Sequence, residues 1–336
     1  MQASSSDGKR RIRKGMKRSA TALLVTRLLP ALMMLIAAGS LLAEEEASDQ
    51  LKLPEFSRTG ADTCLRCHGG EDDPQLMEVL HGPHGVVADP RTPFGSGLQC
   101  EACHGPGGDH TGRVRPGKER PPMPAFAPDS PLTTQQENQV CLGCHQGTDH
   151  RFWEGSAHDQ DEVGCADCHQ LHIRRDPITV TSTQSEVCMG CHLQQRSQFQ
   201  SAFSHPVRFG EMACSNCHAP HGSPSEAMLH SATLNQNCFG CHAEYRGPFL
   251  WEHSPVAEDC SNCHNPHGSN HPSMLTRRAP LLCQQCHSRA GHPSIGLTPD
   301  DIEPDTQSVF LLAGSCANCH SQVHGSNHPS GATLNR

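Results

Sequence analysis

Residues 214–222 read CSNCHAPHG and residues 260–268 read CSNCHNPHG. Each stretch holds two cysteines separated by two residues, a histidine directly after the second, and another histidine three residues further on. Outward from these, the Cys-x-x-Cys-His pattern opens at Cys64, Cys100, Cys141, Cys165, Cys188, Cys214, Cys238, Cys260, Cys283 and Cys316. Its second cysteines are Cys67, Cys103, Cys144, Cys168, Cys191, Cys217, Cys241, Cys263, Cys286 and Cys319. All 20 cysteines are used, and none is left over. This spacing is the attachment signature of c-type haem. Two thiols add to the two vinyl groups of one macrocycle edge, and the adjacent imidazole reaches the iron from one face. Neither a zinc site nor a disulfide framework calls for a histidine after every second cysteine. The pattern predicts ten covalent haems whose proximal ligands are His68, His104, His145, His169, His192, His218, His242, His264, His287 and His320.

The motifs alternate between two types. CLRCH (64–68), CLGCH (141–145), CMGCH (188–192), CFGCH (238–242) and CQQCH (283–287) form the first. CEACHGPGGDH (100–110), CADCHQLH (165–172), CSNCHAPHG (214–222), CSNCHNPHG (260–268) and CANCHSQVHG (316–325) form the second. Five dihaem modules result, an internal repeat. Each module supplies two further histidines. One follows the second motif closely: His110, His172, His221, His267 or His324. The other lies between the motifs: His81 or His84, then His158, His205, His253 and His292. These are the candidate distal ligands, which makes all ten irons bis-histidine ligated. His150, His230, His271, His328 and one of His81 and His84 are surplus. His221 lies too close to His218 to pass around the haem edge, so the close histidines are expected to serve a neighbouring haem. Which histidine serves which iron stays open. Methionine, the usual rival, occurs only at positions 77, 123, 189, 212, 228 and 274 beyond residue 43, without regular placement.

Composition agrees with a cofactor-built interior. Of 336 residues only 35% are hydrophobic and 4% aromatic, against roughly 45–50% apolar in typical chains. Gly (30) and Pro (26) favour turns over long elements. The expected fold is a multihaem cytochrome c: mostly irregular, with short α-helices around a haem stack, almost no β-sheet, elongated. The apo chain is expected to be largely unfolded, because its core arrives with the cofactor.

Residues 9–18 are basic (KRRIRKGMKR), residues 28–43 apolar, and Glu44–Glu46 acidic. That order reads as a signal peptide over 1–43, cleaved after Ala43 or near Ser40, with Met16 as an alternative start. Arg27 and Pro30 leave the apolar run short of the roughly 20 residues needed to span a bilayer. The leader carries eight of the 26 Lys and Arg and one of the 35 Asp and Glu, so the mature chain has net charge −16. Nucleic acid is not an expected partner. Residues 44–60 read as a flexible tail and 61–336 as the decahaem domain.

Thr134-x-x-Glu137, Thr183-x-x-Glu186 and Thr233-x-x-Gln236 match capping boxes ahead of first-type motifs. Pro280 suits a helix first turn before Cys283. The second-type motifs run into Pro, Gly and His, so their helices end at once. Residues 112–131 are rich in Pro and Gly and read as a surface loop.

Ten such motifs in an exported chain, with CHxPHGS at 217–223 and 263–269, resemble the MtrA/DmsE family of decahaem cytochromes over residues 60–336. The resemblance implies two pentahaem halves, dividing here near 193–213. It implies an electron conduit that sits in the periplasm and crosses the outer membrane inside a β-barrel porin. An inner-membrane or periplasmic donor would feed it, and an extracellular multihaem cytochrome or reductase would meet its far end. A soluble periplasmic shuttle is the alternative. A nitrite or hydroxylamine reductase needs an open iron position, and every motif here ends in His with enough distal candidates to close all ten. No catalytic residue is expected.

Overall fold

The computed structural model describes residues 55–69, 74–287 and 316–336. The leader, most of the tail and His292 lie outside the described residues. The chain divides into two units, Met1–Glu55 and Phe56–Arg336, and every Cys-x-x-Cys-His motif lies in the second.

Short helical segments joined by irregular chain make up the described residues, with no sheet. Among the described residues the longest α-helix, Thr134–Leu142, has nine residues. Isolated backbone bridges pair Phe203 with Ser269, His218 with Leu229, Trp251 with Ser326 and His264 with Leu275. Among the described residues no helix is long and apolar enough to cross a membrane.

The motifs place the helices. First-type motifs close helices that approach them from the N-terminal side: Ala61–His68, Thr134–Leu142, Thr181–Cys188 and Leu234–Cys238. Second-type motifs occupy a single helical turn. Glu101–His104 and Cys165–Cys168 are four-residue α-turns, while Cys214–Asn216, Cys260–Asn262 and Cys316–Asn318 are 3₁₀ turns. After Glu101–His104, Cys214–Asn216 and Cys260–Asn262 a proline or glycine follows within a few residues and discourages further helix, as the sequence anticipates.

Capping departs from the expected positions in two places. The first box is made one residue early: Thr133 Oγ1 accepts from the Gln136 N–H, and Gln136 Oε1 from the Thr133 N–H. Thr134 is already the first helical residue. Two adjacent threonines satisfy the same pattern, and only backbone geometry selects between them. Thr183 is no cap at all. Its helix starts at Thr181 behind Val180, and its hydroxyl donates to the Pro177 carbonyl at 2.8 Å. Thr233 does cap, accepting from Gln236 N–H at 3.2 Å. Pro280 stands outside the Cys283–Gln285 turn, although its carbonyl accepts from the Gln284 N–H.

The polypeptide has scarcely any apolar core of its own. Among the described residues the buried hydrophobic side chains are Trp153, Phe199, Val207, Ala213 and Leu229, and no large side chain is fully enclosed. A domain of this length normally buries most of its surface. The deficit read from composition is therefore a deficit of packing too, and something other than side chains must fill the interior.

Candidate haem-binding site

The five modules repeat one thiol arrangement. The leading cysteine of each first-type motif lies beside the leading cysteine of the second-type motif, close enough for each pair of thiols to perturb one another: Cys64 with Cys100, Cys141 with Cys165, Cys188 with Cys214, Cys238 with Cys260 and Cys283 with Cys316. Across module boundaries the trailing cysteines are electrostatic neighbours: Cys103 and Cys144, Cys168 and Cys191, Cys217 and Cys241, Cys263 and Cys286. Burial and the neighbouring Cys260 push the Cys238 thiol up to about 12. The neighbouring Cys188 thiol lowers the pKa of Cys214. Successive attachment points thus neighbour one another alternately by their leading and trailing thiols.

One polar side chain ahead of the first-type motif sets this spacing. Asn235 Oδ1 accepts from the Cys260 N–H at 2.7 Å, and its Nδ2 donates to the Val256 carbonyl at 2.9 Å. Asn138 does the same with Cys165 N–H and the Val163 carbonyl. In the next module Gln184 takes over, between Ser215 N–H and the Ile178 carbonyl. Both asparagines are buried. They lie three residues before Cys141 and Cys238, a spacing visible in the sequence but not picked out there.

The histidine rings pair in a fixed way. The ring centres of His68 and His110 are 6.3 Å apart, His84 and His145 5.9 Å, His104 and His172 6.2 Å. His158 and His192 lie at 6.1 Å, His169 and His221 at 6.0 Å, His205 and His242 at 6.4 Å. His218 and His267, His253 and His287, and His264 and His324 each lie at 6.1 Å. Each of these pairs joins one motif histidine to one histidine outside the motifs, and His145 has a second such neighbour, His150, at 5.6 Å. Two metal–imidazole bonds of about 2.0 Å, with the half-width of each ring, place axial ring centres roughly 6 Å apart. Rings in direct contact in this protein sit closer, as His150 and His221 do at 4.3 Å. The residues present therefore fit an iron between each pair.

Protonation favours ligation. Burial, then the neighbouring His150 and His169, bring His221 down to about 4. Burial likewise lowers His84, His267 and His324. A neutral imidazole offers the lone pair a metal needs. The other ring nitrogen is often fixed by a backbone carbonyl. Nδ1 of His158, His205 and His253 meets the carbonyls of Pro220, Pro266 and Val323, the residues directly before His221, His267 and His324. The glycines directly after those histidines have φ of +101°, +135° and +133°. A Cβ there would lie 2.0 Å from the Phe152 carbonyl oxygen, 2.4 Å from that of Gln198, or 2.3 Å from the Phe249 ring. Each Pro-His-Gly or Val-His-Gly segment is thus a seat pressed against the preceding module. An aromatic ring lies against each of the three close histidines: His150 on His221, Phe199 on His267, Tyr245 on His324.

Of the two histidines left open near the N-terminus, His84 is the one paired. His81 ends the 3₁₀ segment Pro74–His81 and is exposed. His230 bonds the Ser215 carbonyl and His328 the Ser330 side chain. His292 lies outside the described residues; Nδ1 of His320 bonds the Thr333 carbonyl.

The model of the doubled CXXCH motif matches residues 205–247 and 253–292. A model of cytochrome c-type proteins similar to NrfB matches 100–185, and one of cytochromes c554 and c-prime matches 36–105. Each doubled-motif match encloses the second-type motif of one module and the first-type motif of the next, the frame within which His205 meets His242 and His253 meets His287. A cytochrome c-type protein NrfB of Haemophilus influenzae is 30% identical over 125 residues, 34% of this chain and 55% of that one. The multiheme cytochrome MtrA of Shewanella baltica is 42% identical over 341 aligned positions, covering 96% of this chain and 98% of its own. With its paired thiols and histidines, the chain belongs to the MtrA family of multihaem cytochromes, electron carriers with covalently bound c-type haems.

Proposed function

We propose that this protein holds ten c-type haems, each between two histidines, and carries electrons across the outer membrane. The observation that supports it is the set of histidine pairs near 6 Å. Its assignments are displaced by one module. His104, His169, His218 and His264 take the close histidine of the following module: His172, His221, His267 and His324. His145, His192, His242 and His287 take the between-motif histidine of the preceding one: His84, His158, His205 and His253. At the N-terminal end His68 takes His110. The same rule leaves His292 for His320.

Bound haem supplies a one-electron iron couple, whose potential axial ligands and hydrogen bonds tune. The chain's own residues fix the spacing. Asn138, Gln184 and Asn235 lock the two motifs of a module, while the displaced histidines tie each module to the next. Two histidines on every iron leave no position for substrate, which fits a carrier rather than a reductase.

A hydrocarbon core of ~30 Å bars electrons from crossing unaided. Ten macrocycles in succession can exceed that thickness. A polar chain of net charge −16 after the leader needs a sheath to enter lipid, and a β-barrel porin supplies one. We therefore assign export by the leader, a periplasmic position at the outer membrane, a donor on the inner side and a multihaem cytochrome or reductase outside.

Pyridine haemochrome and intact mass should give ten haems per chain, and electron paramagnetic resonance only low-spin ferric signals. Vesicles enclosing an electron-accepting dye should be reduced by external dithionite only when barrel and cytochrome are both present. Failure to co-purify with any barrel, despite ten low-spin haems, would leave a periplasmic shuttle as the function.

A further inference from the structure

The motif histidines of the second type all direct Nδ1 at an oxygen. His104, His218, His264 and His320 meet the carbonyls of Pro124, Ala227, Ser273 and Thr333, at 2.6, 2.8, 2.7 and 2.7 Å. His169 alone in this group meets a carboxylate, Asp176 Oδ2, at 2.7 Å. The Asp176 side chain is only 15% exposed. Its other oxygen accepts from the backbone N–H groups of Gln170 and Ile178, at 3.3 and 3.4 Å. Those two bonds hold Oδ1 and aim Oδ2 at the imidazole.

The local sequence explains the exception. After His218 and His264 the chain reads APHGSPSEAML and NPHGSNHPSML, and a left-handed residue turns its carbonyl back at the ring: Ala227 with φ 53°, Ser273 with φ 56°. After His169 the chain reads QLHIRRDPITV. It lacks that loop, and Asp176 supplies the oxygen from its side chain.

We infer that Asp176 is a positioning residue that sets the haem attached at Cys165 and Cys168 to a lower potential than the other second-type haems. A bond from Nδ1–H to a carboxylate draws the proton from the ring and raises its basicity as a ligand. A more basic, more anionic ligand stabilises the ferric state, so the potential falls. A neutral carbonyl does this less, since charge-assisted bonds are the stronger class. The fourth haem along the chain thus forms a step in the potential profile. This inference rests on the ligand assignment of His169 proposed above.

The test is Asp176→Asn in the full haem-loaded protein, followed by spectroelectrochemical titration. Asparagine either offers its carbonyl to His169 or keeps the backbone bonds and turns its amide away; both remove the charge. The expected result is ten haems, all low-spin, with the component of one haem shifted upward and the others unmoved. Ten low-spin haems with no shift would overturn the role of Asp176 and leave the ligation intact. Fewer than ten haems or high-spin signals in the unaltered protein would overturn the ligation itself. Should the variant lose a haem, resonance spectra of the unaltered protein decide. One ferric signal with a narrower g-spread than the rest is expected from the more anionic ligand, and ten alike would refute it.

Discussion

Nδ1 of His205 hydrogen-bonds the carbonyl of Pro266, 61 residues further along the chain, at 2.7 Å. His205 is paired with His242, and the residue after Pro266 is His267, paired with His218. One bond therefore orients an imidazole of one histidine pair and the backbone that carries an imidazole of another. The same link joins His158 to Pro220 and His253 to Val323. Consecutive histidine pairs are thus mechanically coupled through these hydrogen bonds.

His221→Met should raise the potential of one haem, that attached at Cys165 and Cys168, because a thioether donates less to ferric iron than an imidazole. Haem content should stay at ten. A redox titration checks it, and unchanged potentials would remove His221 from the ligand set.

Gly268→Ala should destabilise the protein. Residue 268 holds φ +135°, and a Cβ would stand 2.4 Å from the Gln198 carbonyl oxygen. A strained backbone conformation of this kind costs about 1–3 kcal/mol before any clash. The expected outcome is a lower melting temperature, measured on protein still carrying all its haems. Gly105, with φ +73° and no atom within reach of a Cβ, should show only the conformational cost when changed to Ala.

Asn235→Ala leaves the Cys260 N–H and the Val256 carbonyl without their partner. Unsatisfied buried groups cost about 1–3 kcal/mol. Denaturant unfolding should show that loss. Asn235→Asp keeps the acceptor and forfeits the donor, so it should fall between.

Glu101 predicts an acid-sensitive N-terminal contact. Its burial opposes ionisation, but bonds from the Gly107 N–H and from the hydroxyl and N–H of Ser57 outweigh it and lower its pKa. A carboxylate held lower in the folded state contributes stability in full above the ordinary value of about 4.3. That contribution fades as pH falls through the lower folded value. Glu101→Gln should flatten this part of the stability–pH curve, read by thermal melts between pH 5 and the acid limit of solubility.

The ten attachment motifs, their two types and the pool of outer histidines are legible in the sequence because covalent attachment demands a contiguous pattern. The partnership of His104 with His172, or of His242 with His205, is not. Those rings meet through the course of the whole chain, and no local rule carries it. Asn138 and Asn235 escape notice for another reason: a polar residue on a short helix reads as surface until its burial is known. The caps expected at Thr134 and Thr183 fail where neighbouring hydroxyls offer equivalent patterns and the backbone chooses.

The displaced pairing of histidines has an arithmetic of its own. In the proposed pairing every interior unit borrows one imidazole from each neighbour and lends one to each, and only the two ends must settle within themselves, as His68 does with His110. A unit duplicated in the interior finds lenders and borrowers on both flanks, so the chain can lengthen without inventing a new terminus. A single added motif would strand one iron. Growth of such a wire is a ratchet with two haems to the tooth.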